Sequence, residues 1–549
     1  MDTTLYHHTS DGPPSAGPLA AGARPISRST ARAILTAALL MGIAADALLR
    51  EGPVGLAFGV WTGMLTLSTV SLLWRAERSV SRETTAWLCA AVLFAFAFAW
   101  RNSDTLLPLD FLATIGCLGM AALASSDARA ALFARRLRDT LVAGAIVVRG
   151  VLVGILPLAF RESFAAGDAK PRRGRVLPLL RAVAISCTLL LIFGALLRSA
   201  DPIFASLVAL PDVDVDVIAS HVFVIGFFAW IVAGWSRTAV IERGNARRTA
   251  MEPPFRLDML DITAALGTLN LLFATFVVAQ LGWFFGGERF LHERTGLTVA
   301  AYARQGFFQL VWVVTLVVPV LVATRAALQP GRALARRHTL LSLPIIALLG
   351  VIIVSATLRM KLYVHFYGLT TDRLYALVFM AWLAIVLVWL AVTVLRDWGR
   401  PFVAGAACSG LAMLGLLNAS DPDAFVARVN IERAARVPAL TQPSLDLVHL
   451  AGLRGGAVAL ATTATVASPL GDEGGALRAA DMTQRCAAAR KLLERWGPTS
   501  ALRARQSGDA AWRFWNADDA AALRIVAAHA NALVRVQHTS CPAPLPKSR

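Results

Sequence analysis

Long apolar runs separated by short polar segments recur between Ala31 and Leu417. A run of about 18 or more apolar residues can cross a hydrocarbon core of roughly 30 Å as one helix. Helices that are apolar on every face have no polar face to present to water. The pattern therefore predicts an all-α, polytopic transmembrane helix bundle. The predicted spans are 31–49, 53–74, 84–100, 106–124, 177–197, 217–235, 260–285, 306–326, 340–358, 374–395 and 402–417.

The apolar run 140–160 is the exception, because Arg149 lies at its centre. An arginine at the centre of a span costs about 2.5–3.5 kcal/mol on insertion scales. Without this span, most arginine-rich loops fall on the cytoplasmic side, as the positive-inside rule requires. We therefore predict eleven spans, with 140–160 re-entrant or lying in the interface. The alternative is twelve spans, with Arg149 facing the bundle interior.

The eleven-span topology places the N-terminus in the cytoplasm. Four segments then face outward: 198–216, 286–304, 359–373 and everything after Asn418. Residues 1–30 are rich in Pro, Gly and Ser and are expected to be a disordered tail. The transmembrane domain is 31–417. The helical periodicity after it predicts a small extramembrane domain at 418–536, followed by a disordered tail at 537–549.

Composition agrees with a membrane protein, since 56% of residues are hydrophobic, mean hydropathy is +0.60 and only 16% are charged. Soluble domains average about 25% charged residues. The net charge of +18 does not indicate nucleic-acid binding, because only four of the 53 basic residues are lysine and the arginines flank apolar runs. No phosphate-binding loop, dinucleotide fingerprint, His-Glu-x-x-His or Cys-x-x-Cys motif is present, so no cofactor is predicted.

The stretch 359–379 has the highest density of polar groups beside long apolar runs. Polar and apolar residues alternate from Arg359 to Tyr367, which suits a half-buried strand. The same residues also suit an extension of the preceding helix, ended by a turn at Gly368. The candidate polar site on the outer face consists of Asp201, His292, Arg304, Tyr363, His365, Tyr367, Asp372 and Arg373. The alternative is an aromatic and cationic belt that anchors the chain at the interface.

Two weaker patterns lie in other outward segments. Glu288 and His292 share a helical face and could supply two metal ligands, but two ligands are too few for a tetrahedral site, so no metal is predicted. Asp212, Asp214 and Asp216 alternate as in acidic loops of enzymes that use lipid-linked sugars. A short solvated segment is the simpler interpretation.

Cys486 and Cys541 are the two cysteines outside the membrane part. A disulfide between them is possible if the C-terminal domain faces the periplasm. Two unpaired thiols are the simpler interpretation.

Five strings of the chain resemble a family of bacterial integral membrane proteins known only as domain of unknown function 4173, with its broader relative 4153. They are 201–204 (DPIF), 302–310 (YARQGFFQL), 367–375 (YGLTTDRLY), 421–430 (DPDAFVARVN) and 512–516 (WRFWN). The resemblance implies a multi-span membrane protein with a C-terminal extramembrane part. It implies no activity, cofactor or catalytic residue.

Three functions are compatible with these features. The first is a non-catalytic role in transport, envelope organisation or signalling, with the lipid bilayer as surroundings and a periplasmic protein bound by the C-terminal domain. The second is a secondary transporter. The third is an envelope enzyme that acts on a lipid-linked substrate. We favour the first, because the motifs of common enzyme classes are missing.

Overall fold

The computed structural model describes residues 27–50, 52, 55–126, 137–159, 215–241, 256–295, 307–395, 402–436, 445–467, 475–506, 508 and 510–541, with isolated residues between 186 and 197. The described chain is helical, and its recorded β interaction is a single parallel bridge between Leu257 and Leu328. The helices up to Ser420 are α1 (Arg28–Leu49), α2 (Leu56–Arg75), α3 (Arg82–Trp100), α4 (Leu106–Ser126), α5 (Leu137–Val153), α6 (Ile155–Pro157), α7 (Val215–Val240), α8 (Met259–Thr295), α9 (Phe307–Ala326), α10 (Arg332–Tyr367), α11 (Thr371–Leu395) and α12 (Phe402–Ser420).

Shorter helices follow α12. They are α13 (Pro422–Arg436), α14 (Leu447–Leu450), α15 (Ala457–Ala467), α16 (Gly475–Trp496), α17 (Ala501–Gln506), a 3₁₀ turn (Ala511–Phe514), α18 (Ala517–Ala528) and α19 (Ala530–Ser540). We refer to α13–α19 and the 3₁₀ turn as the C-terminal helices.

Nine helices in the described residues are long and apolar enough to cross a membrane: α1–α4, α7, α8 and α10–α12. The apolar parts of α5 and α9 that the structure describes are shorter, Gly144–Val153 and Gln309–Arg325. The predicted span 177–197 lies almost wholly outside the described residues. The prediction of an all-α, polytopic helix bundle is confirmed, and the protein is an integral membrane protein.

The doubtful run 140–160 forms α5, a break at Gly154 and the short α6. Arg149 lies on the exposed face of α5. Its neighbour Gly150 packs against Thr238 of α7, where an added Cβ would clash with that side chain. One face of α5 is therefore packed on the bundle, while the arginine points away from it.

Buried apolar side chains form three main clusters along the chain. The first joins α1–α5 with α7, and the second joins α8–α11. The third is built by the C-terminal helices around Trp496, which is 1% exposed, and it includes Leu369 from the connection between α10 and α11. The C-terminal helices therefore have a core of their own, into which the membrane part inserts Leu369, while Val364 and Leu374 pack against it.

The helix connections gather at two opposite ends of the bundle. At one end, Arg78 Nη1 and Ser125 Oγ both donate to the carbonyl of Ala239, at 3.2 and 3.1 Å. Helix α3 starts near this end and finishes at Trp100, so Arg101 lies at the other end. There the α3–α4 and α10–α11 connections meet the C-terminal helices.

Candidate functional site at the junction with the C-terminal helices

The stretch that is densest in polar groups is helical rather than extended, because α10 continues to Tyr367. The turn at Gly368 has φ 77°, a left-handed conformation that glycine adopts without strain. The rings of Tyr363 and Tyr367 are 4.9 Å apart, and the Arg373 guanidinium lies 4.2 Å above the Tyr363 ring. Arg373 also donates hydrogen bonds to the carbonyls of Tyr367 and Gly368. These side chains close the C-terminal end of α10.

The other members of the predicted outer-face site are exposed or have side chains outside the described part of the chain. His365 and Asp372 are exposed. Asp201 and Arg304 lie outside the described residues, and only the helical backbone of His292, on α8, is described. The structure brings together Tyr363, Tyr367 and Arg373, and the predicted eight-residue site stays a prediction.

A buried asparagine fixes the α10–α11 connection to the C-terminal helices. The Leu369 N–H donates to Asn430 Oδ1 at 2.8 Å, and Asn430 Nδ2 donates to the Leu369 carbonyl at 2.6 Å. The side-chain amide thus acts as the backbone partner that Leu369 lacks within its turn. Because a buried peptide group must be hydrogen-bonded, α13 and this connection are held in one register.

An arginine in the α3–α4 connection bridges two aspartates that lie at the N-termini of two helices. Arg101 Nη1 lies 3.2 Å from Asp421 Oδ2 and 3.1 Å from Asp518 Oδ1, and all three side chains are less than 20% exposed. Arg101 Nε donates to the carbonyl of Asn418, at the end of α12, at 2.7 Å. One guanidinium therefore connects α3, α12, α13 and α18.

The next residue adds three further contacts to the same connection. The Asn102 N–H donates to Asp518 Oδ2 at 3.2 Å, and Asn102 Nδ2 donates to Asp519 Oδ1 at 2.7 Å. Asn102 Oδ1 accepts from Arg454 Nη1 at 2.5 Å, and Arg454 also pairs with Asp104. Backbone and side chain of this residue are both engaged by the C-terminal helices.

Asp421 and Asp423 surround the N-terminus of α13. Asp421 Oδ1 accepts from the Ala424 N–H at 3.1 Å, and Oδ2 accepts from the Gly456 N–H at 2.8 Å. Asp423 Oδ2 accepts from the Arg454 N–H at 2.9 Å. Asp421 has φ 52°, which is uncommon for a residue with a side chain. Its contacts compensate for that conformation.

The start of α18 is capped by a residue that also reaches the membrane part. Asn516 Oδ1 accepts from the N–H groups of Asp518 and Asp519 at 2.9 and 3.2 Å. Asn516 Nδ2 donates to the Phe98 carbonyl, in the last turn of α3, at 2.7 Å. We call the group of Arg101, Asn102, Asp421, Asp423, Arg454, Asp518 and Asp519 the aspartate junction.

Burial decides the electrostatics of the aspartate junction. It raises the pKa of the Asp423 carboxyl to about 6, against the opposing hydrogen bond from the Arg454 N–H. Burial also raises the pKa values of the Asp518 and Asp519 carboxyls. The positive charge of Arg101 opposes the rise at Asp518, and the hydrogen bond from Asn102 opposes the rise at Asp519. Within the described residues no three His, Cys, Asp or Glu side chains are arranged to hold a metal ion. The contacts of the aspartate junction hold the C-terminal helices against the membrane part.

Sequence reasoning identified parts of this junction as family strings, but not the α3–α4 connection. The strings 367–375, 421–430 and 512–516 contain Leu369, Asn430 and Asn516, which make the contacts above. Arg101, Asn102 and Asp104 were missed. The available signal was a run of four polar residues between two spans, Arg101 to Asp104. No local sequence pattern indicates which residues they contact.

The two C-terminal cysteines form a disulfide, with a Cα–Cα distance of 5.1 Å. The structure thus contains the crosslink rather than two free thiols. It ties the end of α19 to the middle of α16.

Replacing Asn430 tests the contact between α13 and the α10–α11 connection. Asn430→Ala leaves the buried N–H and carbonyl of Leu369 without partners, so we expect a loss of about 1–3 kcal/mol in stability. Thermal unfolding of the purified full chain in detergent measures it. Arg428→Ala, an exposed position on the same helix, is the control. Equal unfolding temperatures for the two variants would contradict the contact.

Asp423 predicts a pH dependence of stability. Its pKa is raised on folding, so between about pH 4 and 6 the folded chain keeps a proton that the unfolded chain has released. Stability therefore falls as pH rises through this window and stays lower above it. Asp423→Asn lacks this titration, so relative to wild type it should gain at most about 3 kcal/mol between pH 4 and 7.5.

Thermal unfolding at both pH values measures this difference, and the exposed Glu432→Gln controls for the loss of one negative charge. A difference between Asp423→Asn and wild type that stays constant with pH would show that Asp423 does not bind the extra proton.

Comparison with known proteins identifies a family. The sequence profile of the family described as "Domain of unknown function (DUF4153)" matches residues 88–463. The match runs from α3 into α15 and includes the α3–α4 connection, Leu369 and Asn430. No curated protein and no solved structure matches the chain significantly. Since the match covers more than half of the 549 residues, the chain belongs to the DUF4153 family.

Proposed function

We propose that the protein is a non-catalytic component of the bacterial inner membrane that acts in envelope organisation, transport or signalling. In this proposal the C-terminal helices form an extracytoplasmic domain that binds a protein partner. The observation that carries it is the aspartate junction. Its charged groups hold the domain on the membrane helices, which is the task of a scaffold.

The proposed topology has a cytoplasmic N-terminus and eleven spans. It is supported by the gathering of the α3–α4 connection, the α10–α11 connection and the C-terminal helices at one end. The arginine-rich connections around Arg78 and Arg237 lie at the opposite end, which the positive-inside rule assigns to the cytoplasm. The exposed position of Arg149 supports an interfacial α5.

The Cys486–Cys541 disulfide supports the same orientation of the C-terminal helices. Disulfides persist in oxidising compartments such as the periplasm and are rare in the cytoplasm. Within the family, we propose that the chain belongs to the branch that resembles domain 4173. The proposal rests on the strings 302–310 and 512–516, which make up part of that resemblance.

A secondary transporter is the second candidate, because one carboxyl group is buried within the spans. Asp110 of α4 is fully buried, and Asn418 Nδ2 of α12 donates to its Oδ1 at 2.8 Å. Ionisable groups inside a membrane are costly and often lie on ion pathways. The envelope-enzyme hypothesis depends on a cluster of six residues: Asp201, Asp212, Asp214, His292, His365 and Tyr367. The side chains of the first four are outside the described part, so the hypothesis stays a prediction.

Cysteine labelling in whole cells tests the sidedness. Arg524→Cys (an exposed position on α18) and Arg336→Cys (at the start of α10) are made in a chain whose Cys89, Cys117, Cys187 and Cys408 are alanine. A membrane-impermeant maleimide should label the cysteine at 524 in intact cells, and the cysteine at 336 only after permeabilisation. The reverse pattern would refute the outward orientation.

Complementation of a deletion strain tests the non-catalytic role. A double variant, His365→Ala with Asp372→Ala, removes two exposed titratable groups of the predicted outer-face site. It should reverse the defects of the deletion strain as fully as the wild-type gene does, because a scaffold does not need these two groups. Loss of complementation by a variant that folds and inserts normally would favour the enzyme hypothesis.

A further inference from the structure

A cavity of about 320 Å³ lies where the C-terminal helices meet the ends of α3 and α4. Its apolar wall has two halves. Phe98, Leu107 and Phe111 come from the last turn of α3 and the first turns of α4, while Leu502 and Phe514 come from α17 and the 3₁₀ turn. The cavity therefore sits at the boundary between the spans and the extramembrane part.

Exposed tryptophans surround this boundary. Trp100 is 58% exposed at the end of α3, and Trp512 and Trp515 are 46% and 43% exposed beside the 3₁₀ turn. Tryptophan is enriched at the level of the lipid headgroups, where its ring is partly apolar and its N–H needs a polar partner. These tryptophans therefore favour a position of the cavity at the headgroup level of the bilayer.

The polar side chains that line the cavity differ in their hydrogen bonding. Asn102, Asn516 and Asp519 are bonded to one another or to the backbone. Gln506 is different, because its Nε2 is buried and has no hydrogen-bond partner among the residues that the structure describes. Its neighbour on α17, Arg505, is exposed and also lines the cavity.

An unpaired buried amide nitrogen is unfavourable unless an acceptor reaches it. A ligand that fills this cavity therefore needs an oxygen acceptor for Gln506 and an anionic group for Arg505. It also needs an apolar chain for the three phenylalanines. A phospholipid has all three features in this order.

We infer that the cavity binds one anionic phospholipid. Part of an acyl chain lies between Phe98, Phe111 and Phe514, and the phosphodiester faces Arg505. Gln506 Nε2 donates to an ester or phosphate oxygen. The assignment to the outer leaflet rests on the proposed topology, whereas the binding itself does not.

The volume supports partial rather than complete enclosure of the lipid. It is at the lower limit of small-molecule pockets, about 300–1,000 Å³. Helix α4 continues the apolar surface beyond the cavity, since Ile115 is 50% exposed and shares a helical face with Phe111. The rest of the lipid lies along this face in the bilayer.

Native mass spectrometry of the full chain in maltoside micelles tests the inference. Added dioleoyl phosphatidylglycerol should leave one bound lipid per wild-type chain, and dioleoyl phosphatidylcholine distinctly less. Arg505→Gln should weaken phosphatidylglycerol binding about tenfold, the effect of one lost charge-assisted contact. Leu502→Trp fills the cavity and should abolish the adduct. Arg524→Gln, an exposed arginine of α18 away from the cavity, should bind like wild type.

The outcomes of this experiment distinguish a lipid site from a site for phosphate alone. Binding of glycerol 3-phosphate as tight as that of the whole lipid would overturn the lipid assignment in favour of a phosphate site. Equal amounts of bound phosphatidylglycerol on Arg505→Gln and Arg524→Gln would overturn it as well. The comparison of these two variants remains valid even if Leu502→Trp does not fold. Cysteine labelling at position 524 reports the orientation separately, so a failure of the topology is distinguishable from a failure of lipid binding.

Discussion

The placement of the C-terminal helices depends on one guanidinium between two partly buried carboxylates. Arg101 contacts Asp421 and Asp518, which start α13 and α18, at 3.2 and 3.1 Å. Carboxylates are favourable at helix N-termini, but two of them close together repel each other. The arginine removes that repulsion. Breaking a buried pair by removing one partner costs about 3–5 kcal/mol, since a charge is left uncompensated.

Three of the five family strings make contacts between segments in the described residues. The string 367–375 supplies Gly368, Leu369 and Arg373, of which Arg373 closes α10 and Leu369 enters the core of the C-terminal helices. The string 421–430 supplies Asn430, which binds Leu369. These two strings thus join the membrane part to the C-terminal helices. The cavity of about 320 Å³ lies beside this connection.

The sequence predicts features that depend on residues close together in the chain better than contacts between residues far apart in it. The spans were predictable, because apolar composition acts within a single helix. The turn at Gly368 was predictable for the same reason, but the alternation from Arg359 to Tyr367 left strand and helix open, and the helix of the preceding span continues through it. Arg101 and Asp518 are far apart in sequence, and the pairing of Cys486 with Cys541 depends on the packing of α16 and α19. No local pattern encodes such partners.

A double-mutant cycle on Arg101 and Asp518 tests the account most directly. The stability of the C-terminal helices in Arg101→Ala, Asp518→Ala and the double variant is measured by hydrogen exchange of the full chain in detergent. If the pair holds the junction, the single losses are not additive, and the coupling free energy exceeds about 1 kcal/mol. Additive losses, within about 0.5 kcal/mol, would contradict the claim that this arginine joins the two parts of the protein.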